Sequence, residues 1–211
     1  MVKTLVFDFG GVVIQLNHSR AVSAFRRLGL EDADKILDKY HQKGIFLDLE
    51  TGKISADTYL EELGAMCHRQ LTWEEVEAAW LAFVEPVSVS LLNQIRSLRK
   101  KYKLYLLSNT NPFVMHWARS SRLSEAGLPL DVYFDKLFLS YQMGMAKPKR
   151  RIFEKMVAEG DFLPSEAVFI DDSETNLSAS RELGFQTFCP RPEEGTDWMI
   201  RFTEWLDKQA K

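Results

Sequence analysis

Four short segments carry residue types that could do chemistry together: Phe7-Asp8-Phe9-Gly10-Gly11-Val12, Leu107-Ser108-Asn109-Thr110, Lys147-Pro148 and Phe169-Ile170-Asp171-Asp172. Each closes or closely follows an apolar run. Three carboxylates on one rim (Asp8, Asp171 and Asp172) would repel strongly without positive charge between them. A hard divalent cation with oxygen ligands answers that need, and Mg²⁺ suits a site of few carboxylates plus a phosphate. Asp8 can then offer one oxygen to the ion and the other to phosphorus, which divides a difficult hydrolysis into two easier steps. Lys147 would offset charge on the phosphoryl oxygens, while Ser108 and nearby backbone N–H groups hold them. Gly10 and Gly11 allow a tight turn and a close backbone approach to the ligand. Taken singly, each residue has a plainer use: a turn aspartate, a helix cap or a solvated loop lysine. Their common position at strand ends favours the joint reading.

The elements that must position them are legible as five uninterrupted apolar runs, read as buried strands: 3–8, 103–108, 136–140, 167–171 and 186–189. Helical spacing separates most of them, over 88–101, 112–126, 149–160, 174–183 and 196–209. Strands alternating with helices predict an α/β fold: a Rossmann-like, parallel, five-stranded sheet with helices on both faces. One connection is far too long for a crossover helix, and within it 19–28, 32–42, 56–67 and 73–83 carry apolar residues at helical spacing. The expected organisation is a catalytic core of residues 1–14 and 88–211 with an α-helical cap of residues 15–87. Linkers near 13–17 and 85–88 would join them, and the cap would sit above the carboxyl ends of the strands, where ligands bind.

Composition narrows the classes. The 211 residues are 45% hydrophobic and 27% charged with a formal charge of −3, ordinary for a globular protein and without the basic excess of a nucleic-acid surface. No apolar run reaches the roughly 20 residues of a membrane helix. Cys67 and Cys189 stand alone, with no CxxC, and read as reduced thiols. The expectation is a cytoplasmic monomer or weak homodimer without nucleic-acid or membrane partners.

The four segments resemble the motifs of the haloacid dehalogenase-like hydrolases, and the resemblance spans essentially the whole chain, helical insertion included. It implies Asp8 as nucleophile, passing through an aspartyl-phosphate, with Ser108 as phosphate ligand and Lys147 as the charge-balancing lysine. It implies metal ligation by Asp8, the Gly10 backbone carbonyl, Asp172 directly, and Asp171 directly or through water, with Asn176 bracing that loop. Expected substrate contacts are Ser108, Asn109, Lys147, Gly11 and Arg20, the last lining up with an arginine of the family's sugar phosphatases. The substrate would be a small phosphate ester, with sugar phosphates among the candidates.

One position departs from most phosphatases of that family. Gly10 stands where they carry a second aspartate, the general acid and base, a function typically worth about 10²–10⁴-fold. A good leaving group, such as the hemiacetal oxygen of a sugar 1-phosphate, would lessen the need, and α-D-glucose-1-phosphate phosphatases of bacteria resemble this chain in lacking that acid. His18, near the hinge, could replace it. The alternatives are a catalytically impaired member with a binding or regulatory role, a metal-independent 2-haloacid dehalogenase, against which Asp171-Asp172 speaks, a phosphonoacetaldehyde hydrolase using Lys39 or Lys43 as a Schiff base, and a phosphotransferase that passes the phosphoryl group to a second sugar through the same intermediate. In the cap, 43–50 breaks the helical pattern at Gly44, and Lys43, Asp48 and Glu50 are candidate hydroxyl contacts. The tryptophans at 73, 80, 117, 198 and 205 read as packing residues.

Overall fold

A computed structural model describes residues 1–37, 42–191 and 194–209. Its centre is a five-stranded parallel sheet of β1 (Thr4–Phe7), β2 (Lys103–Ser108), β3 (Lys136–Leu139), β4 (Ala167–Ile170) and β5 (Gln186–Phe188), in the order β3-β2-β1-β4-β5. The strands alternate between two apolar layers, as a sheet covered on both faces requires. Leu5, Phe7, Leu104, Leu106, Val168 and Ile170 pack with α6 (Val89–Leu98), α7 (Pro112–Ala118) and α11 (Trp198–Gln209). Val6, Tyr105, Leu107, Phe138 and Phe169 pack with α9 (Arg150–Gly160) and α10 (Glu174–Arg181) on the other face. A short helix, α8 (Ser140–Met143), continues β3.

The long connection after β1 folds as helices: α1 (His18–Leu28), α2 (Ala33–Ile36), α3 (Gly44–Glu50), α4 (Ala56–Met66) and α5 (Trp73–Leu81). Their starts are written in side chains. Asn17 accepts from the Arg20 N–H, Ser55 from that of Thr58, and Thr72 with Glu75 forms a reciprocal capping box. These helices bury an aromatic cluster of their own, with Phe25, Phe46, Tyr59 and Trp80 meeting largely edge to face. Phe113 of α7 joins it, 4.3 Å from the Trp73 ring centroid, so the cluster reaches into the helix that follows β2.

Entry and exit strands of this insertion run antiparallel side by side. Leu16 bridges Val84, the Asn17 N–H donates to the Phe83 carbonyl (2.6 Å) and the Glu85 N–H to the Gln15 carbonyl (2.9 Å). A second tie crosses from α5: Arg122 grips Glu77 through both carboxylate oxygens (2.7 and 3.0 Å), and the His116 Nδ1 lies 2.6 Å from Glu77 Oε1.

Three sequence expectations need correction. The helix expected over 32–42 is short: α2 ends at Ile36 and Leu37 is extended, while 38–41, and with them Lys39, lie outside the described residues. The stretch beginning at Gly44 does not break a helix but begins one, Gly44 taking φ +55 at its first position. The helix expected over 112–126 stops at Ala118. There the Ser120 hydroxyl donates to the Trp117 carbonyl and the Trp117 indole to the Arg122 carbonyl, local bonds that compete with the helical ladder.

Candidate active site

Strand register brings the chemistry together. Phe7 pairs with Ile170 and with Leu106, so the residues that follow them leave the sheet at one rim. The Asp8 N–H continues the ladder to the Ile170 carbonyl (2.8 Å), which sets Asp8 beside Asp171. Lys147 lies between them: its ammonium is 2.7 Å from Asp8 Oδ1 and 2.8 Å from Asp171 Oδ2, and its side chain is almost wholly buried.

Each of these groups is itself braced. The Phe9 N–H also donates to Asp8 Oδ1 (2.7 Å), so two donors grip one oxygen and leave Oδ2 outside their grip. Asp171 accepts from Asn176 Nδ2 through both oxygens (3.1 Å each) and from the Ser173 N–H (2.8 Å). Asn109 clasps the lysine loop, donating to the Lys147 carbonyl (3.0 Å) and accepting from the Lys147 N–H (2.8 Å). Ser140 ties Thr110 to the start of α8 through its N–H and carbonyl. A buried polar network of this kind is rigid because each member is satisfied.

The electrostatics follow from burial and charge. Burial pushes the Asp8 carboxyl well above the usual range; Lys147 opposes that, and the charges of Asp171 and Asp172 add to it. Burial works against the Lys147 ammonium, yet Asp171 and Asp8 more than offset it and hold its pKa up. Carboxylate oxygens of Asp8, Asp171 and Asp172 all lie within 4.8 Å of one another. Three carboxylates around the Lys147 ammonium leave an excess of negative charge, and an oxygen-only donor set of that size fits a hard divalent cation. Gly11 makes room for it: φ is +79, and a Cβ there would come within 2.4 Å of the Asp172 carboxylate.

Asp8, Gly10, Ser108, Asn109, Lys147, Asp172 and Asn176 all line one chamber, which Gln42, Glu50, Trp80 and Phe83 also border and which stays partly open to solvent. It encloses about 120 Å³, many times what one water needs. Other expected residues fall elsewhere. Gly11 lies against Asp172 rather than in the chamber lining. Arg20 belongs to the hinge: it is half exposed, pairs with Glu85 (2.9 Å) and borders a separate surface groove. The reason is local, since Glu85 also accepts from Asn17, which caps the helix that carries Arg20. His18 Nε2 sits 3.0 Å from the Leu37 carbonyl, and the residue lies outside the lining. Asp48 pairs with Lys53 and Lys43 is exposed; of the three cap candidates only Glu50 faces the chamber. Trp80, read as packing, both packs and lines the chamber; a tryptophan at core spacing carries no sequence signal for that second role.

Comparison with known proteins agrees with this geometry. Residues 2–184 match the model of the haloacid dehalogenase-like hydrolases. The chain is 52% identical, over 98% of its length and all of the relative's, to a D-ribitol-5-phosphate phosphatase of Bacteroides thetaiotaomicron. Among solved structures, a HAD-like family hydrolase from Porphyromonas gingivalis superposes with a TM-score of 0.92 at 41% identity, covering 98% of both chains. A HAD family enzyme from Bacteroides thetaiotaomicron, in complex with magnesium and inorganic phosphate, superposes at 0.83 with 33% identity, covering 90% of this chain and 95% of the other. The chain belongs to the haloacid dehalogenase-like hydrolases.

Proposed function

We propose that this protein is a Mg²⁺-dependent phosphatase that hydrolyses the monoester of a small polyhydroxylated metabolite, a sugar or sugar-alcohol phosphate. The observation that carries the reading is Asp8, gripped by Lys147 at the floor of a chamber with Asp171 and Asp172 beside it. Identity of 52% to a D-ribitol-5-phosphate phosphatase supports the phosphate-ester class, and a related structure that holds magnesium and phosphate supports the ion.

A carboxylate oxygen of Asp8 attacks phosphorus, the bond to the ester oxygen breaks, and the leaving oxygen takes a proton from solvent water to depart as the alcohol. Water then attacks the aspartyl-phosphate, releasing inorganic phosphate and restoring Asp8. Lys147 fixes the nucleophile and offsets phosphoryl charge; Ser108, on the lining, and the backbone around it receive the phosphoryl oxygens. Asn109 and Asn176 position Lys147 and Asp171. Mg²⁺, held by Asp8, Asp172, the Gly10 carbonyl and Asp171, would neutralise the carboxylates and polarise the phosphoryl group. The alcohol of D-ribitol 5-phosphate is primary, so the acidic leaving group that would excuse Gly10 is not general among relatives.

A panel of phosphorylated sugars and sugar alcohols, D-ribitol 5-phosphate among them, assayed with Mg²⁺ and with EDTA, tests the proposal. Metal-dependent phosphate release from one or more is expected. Folded protein that turns over none of them overturns it.

A further inference from the structure

Glu50 is a buried acid that the chemistry above does not use. It closes α3, is 9% exposed, lines the chamber, and makes no ion pair or hydrogen bond among the described residues. Burying a carboxyl without a partner is expensive, and folds retain such groups chiefly where a ligand meets them. Its position is enforced: Gly52, two residues on, takes φ +65 with its backbone so close to the core that a Cβ would lie 2.0 Å from the Tyr141 carbonyl. The end of α3 is thus pressed onto the start of α8, directly over the rim.

Its neighbours on the lining are apolar: Trp80 and Phe83 flank it, and the Tyr59 ring packs behind Trp80. The ceiling therefore sets one carboxyl in an apolar frame, whereas the floor offers charge.

We propose that Glu50 is the specificity residue of this site, its carboxyl hydrogen-bonding hydroxyl groups on the alcohol portion of the ester, so that polyhydroxylated phosphates are selected over plain ones. The inference rests on the phosphatase reading above and names what its cap recognises. Burial alone raises Glu50 to about 8, so it is a neutral acid at pH 7, able both to donate and to accept, as a hydroxyl does. Neutrality also spares the phosphate a second repulsion. Glu50 enters the chamber from α3 of the insertion and Asp8 from the strand rim, so the two carboxyls come from different parts of the fold.

Steady-state kinetics of Glu50→Ala and Glu50→Gln on D-ribitol 5-phosphate and on p-nitrophenyl phosphate, whose leaving group bears no aliphatic hydroxyl, tests it. Glu50→Ala is expected to lower kcat/KM for the sugar-alcohol ester about tenfold more than for the nitrophenyl ester, the worth of one good hydrogen bond, chiefly through KM. Glu50→Gln, neutral and of the same shape, recovers most of that difference. Equal losses on both esters would make the role structural and overturn the inference. So would a fall in kcat, confined to the sugar-alcohol ester, that Gln shares with Ala, because it would mark a proton donor. Wild-type protein that hydrolyses the nitrophenyl ester with no preference for hydroxylated ones sinks this inference alone; failure to hydrolyse either ester sinks the phosphatase reading with it.

Discussion

The floor and the ceiling of the chamber solve the problem of buried polarity in opposite ways. On the floor, Asp8, Lys147, Asp171, Asn109 and Asn176 are closed into a network in which charges face charges at 2.7–2.8 Å and amides hold the loops. On the ceiling, the Glu50 carboxyl is buried beside Trp80 and Phe83 without such a partner among the described residues. A site complete in itself is prepared for a group common to every substrate; a site with open hydrogen-bonding capacity is prepared for the part that varies. In this molecule the common part is phosphate and its cation, and the variable part belongs to the insertion.

The contrast breaks most severely at Asp8. Replacing Asp8 by Asn removes the nucleophile, and turnover should fall by about 10⁴-fold or more, as for other covalent catalysts. The fold should survive, because Lys147 retains Asp171 and the strand register is untouched. Unchanged phosphate release by the variant would refute covalent catalysis at this position. Lys147→Met comes next. It leaves Asp8, Asp171 and Asp172 mutually repelling, and kcat should drop roughly 10²–10³-fold, as when one charge-stabilising donor is lost, while the half-saturating Mg²⁺ concentration in a metal titration should fall, because a competing positive charge is gone.

These two residues were also the most legible in the sequence, and for a physical reason. A strand end is set by a short local pattern, and parallel register does the rest, so Asp8, Ser108, Lys147 and Asp172 converge once the sheet is inferred. The insertion gives no such rule. Arg20 and Glu50 both lie on amphipathic helices, and only tertiary packing turns one to the hinge, against Glu85, and the other to the chamber. The helix expected through 119–126 failed similarly, since hydroxyl and indole bonds to the backbone outweighed a modest helical propensity.

The ceiling should show its incompleteness as a dependence of stability on pH. In the folded chain Glu50 titrates at about 8, against the usual carboxylate range when unfolded. Below about pH 4 both states hold the proton and nothing is lost; between there and pH 8 only the unfolded state releases it, so stability falls as pH rises. Glu50→Gln escapes that loss. It should stabilise the protein by up to about 3 kcal/mol at pH 7 and by little near pH 4, with a Tm gain of about 2–4 °C per kcal/mol. A Tm difference that does not change between pH 4.5 and 8 would show that Glu50 ionises freely in the folded chain.

The tie between α5 and the core sharpens the comparison from outside the chamber. Glu77 is buried in the insertion yet, unlike Glu50, is fully partnered: the Arg122 guanidinium first, then His116, hold its carboxyl below the usual range. Its contribution is therefore present above that range and fades as pH falls through the lowered pKa, the reverse of Glu50. Arg122→Ala should destabilise the protein by about 1–2 kcal/mol at pH 7, because the exposed arginine is worth little itself but leaves a buried carboxylate half satisfied. The same variant should cost almost nothing at acid pH, where Glu77 is protonated. A double-mutant cycle with Glu77→Gln reads the coupling directly. If the two substitutions add without interaction, the bidentate contact does not hold the insertion to the core, and the chamber owes its geometry to the Phe113–Trp73 contact and the antiparallel hinge.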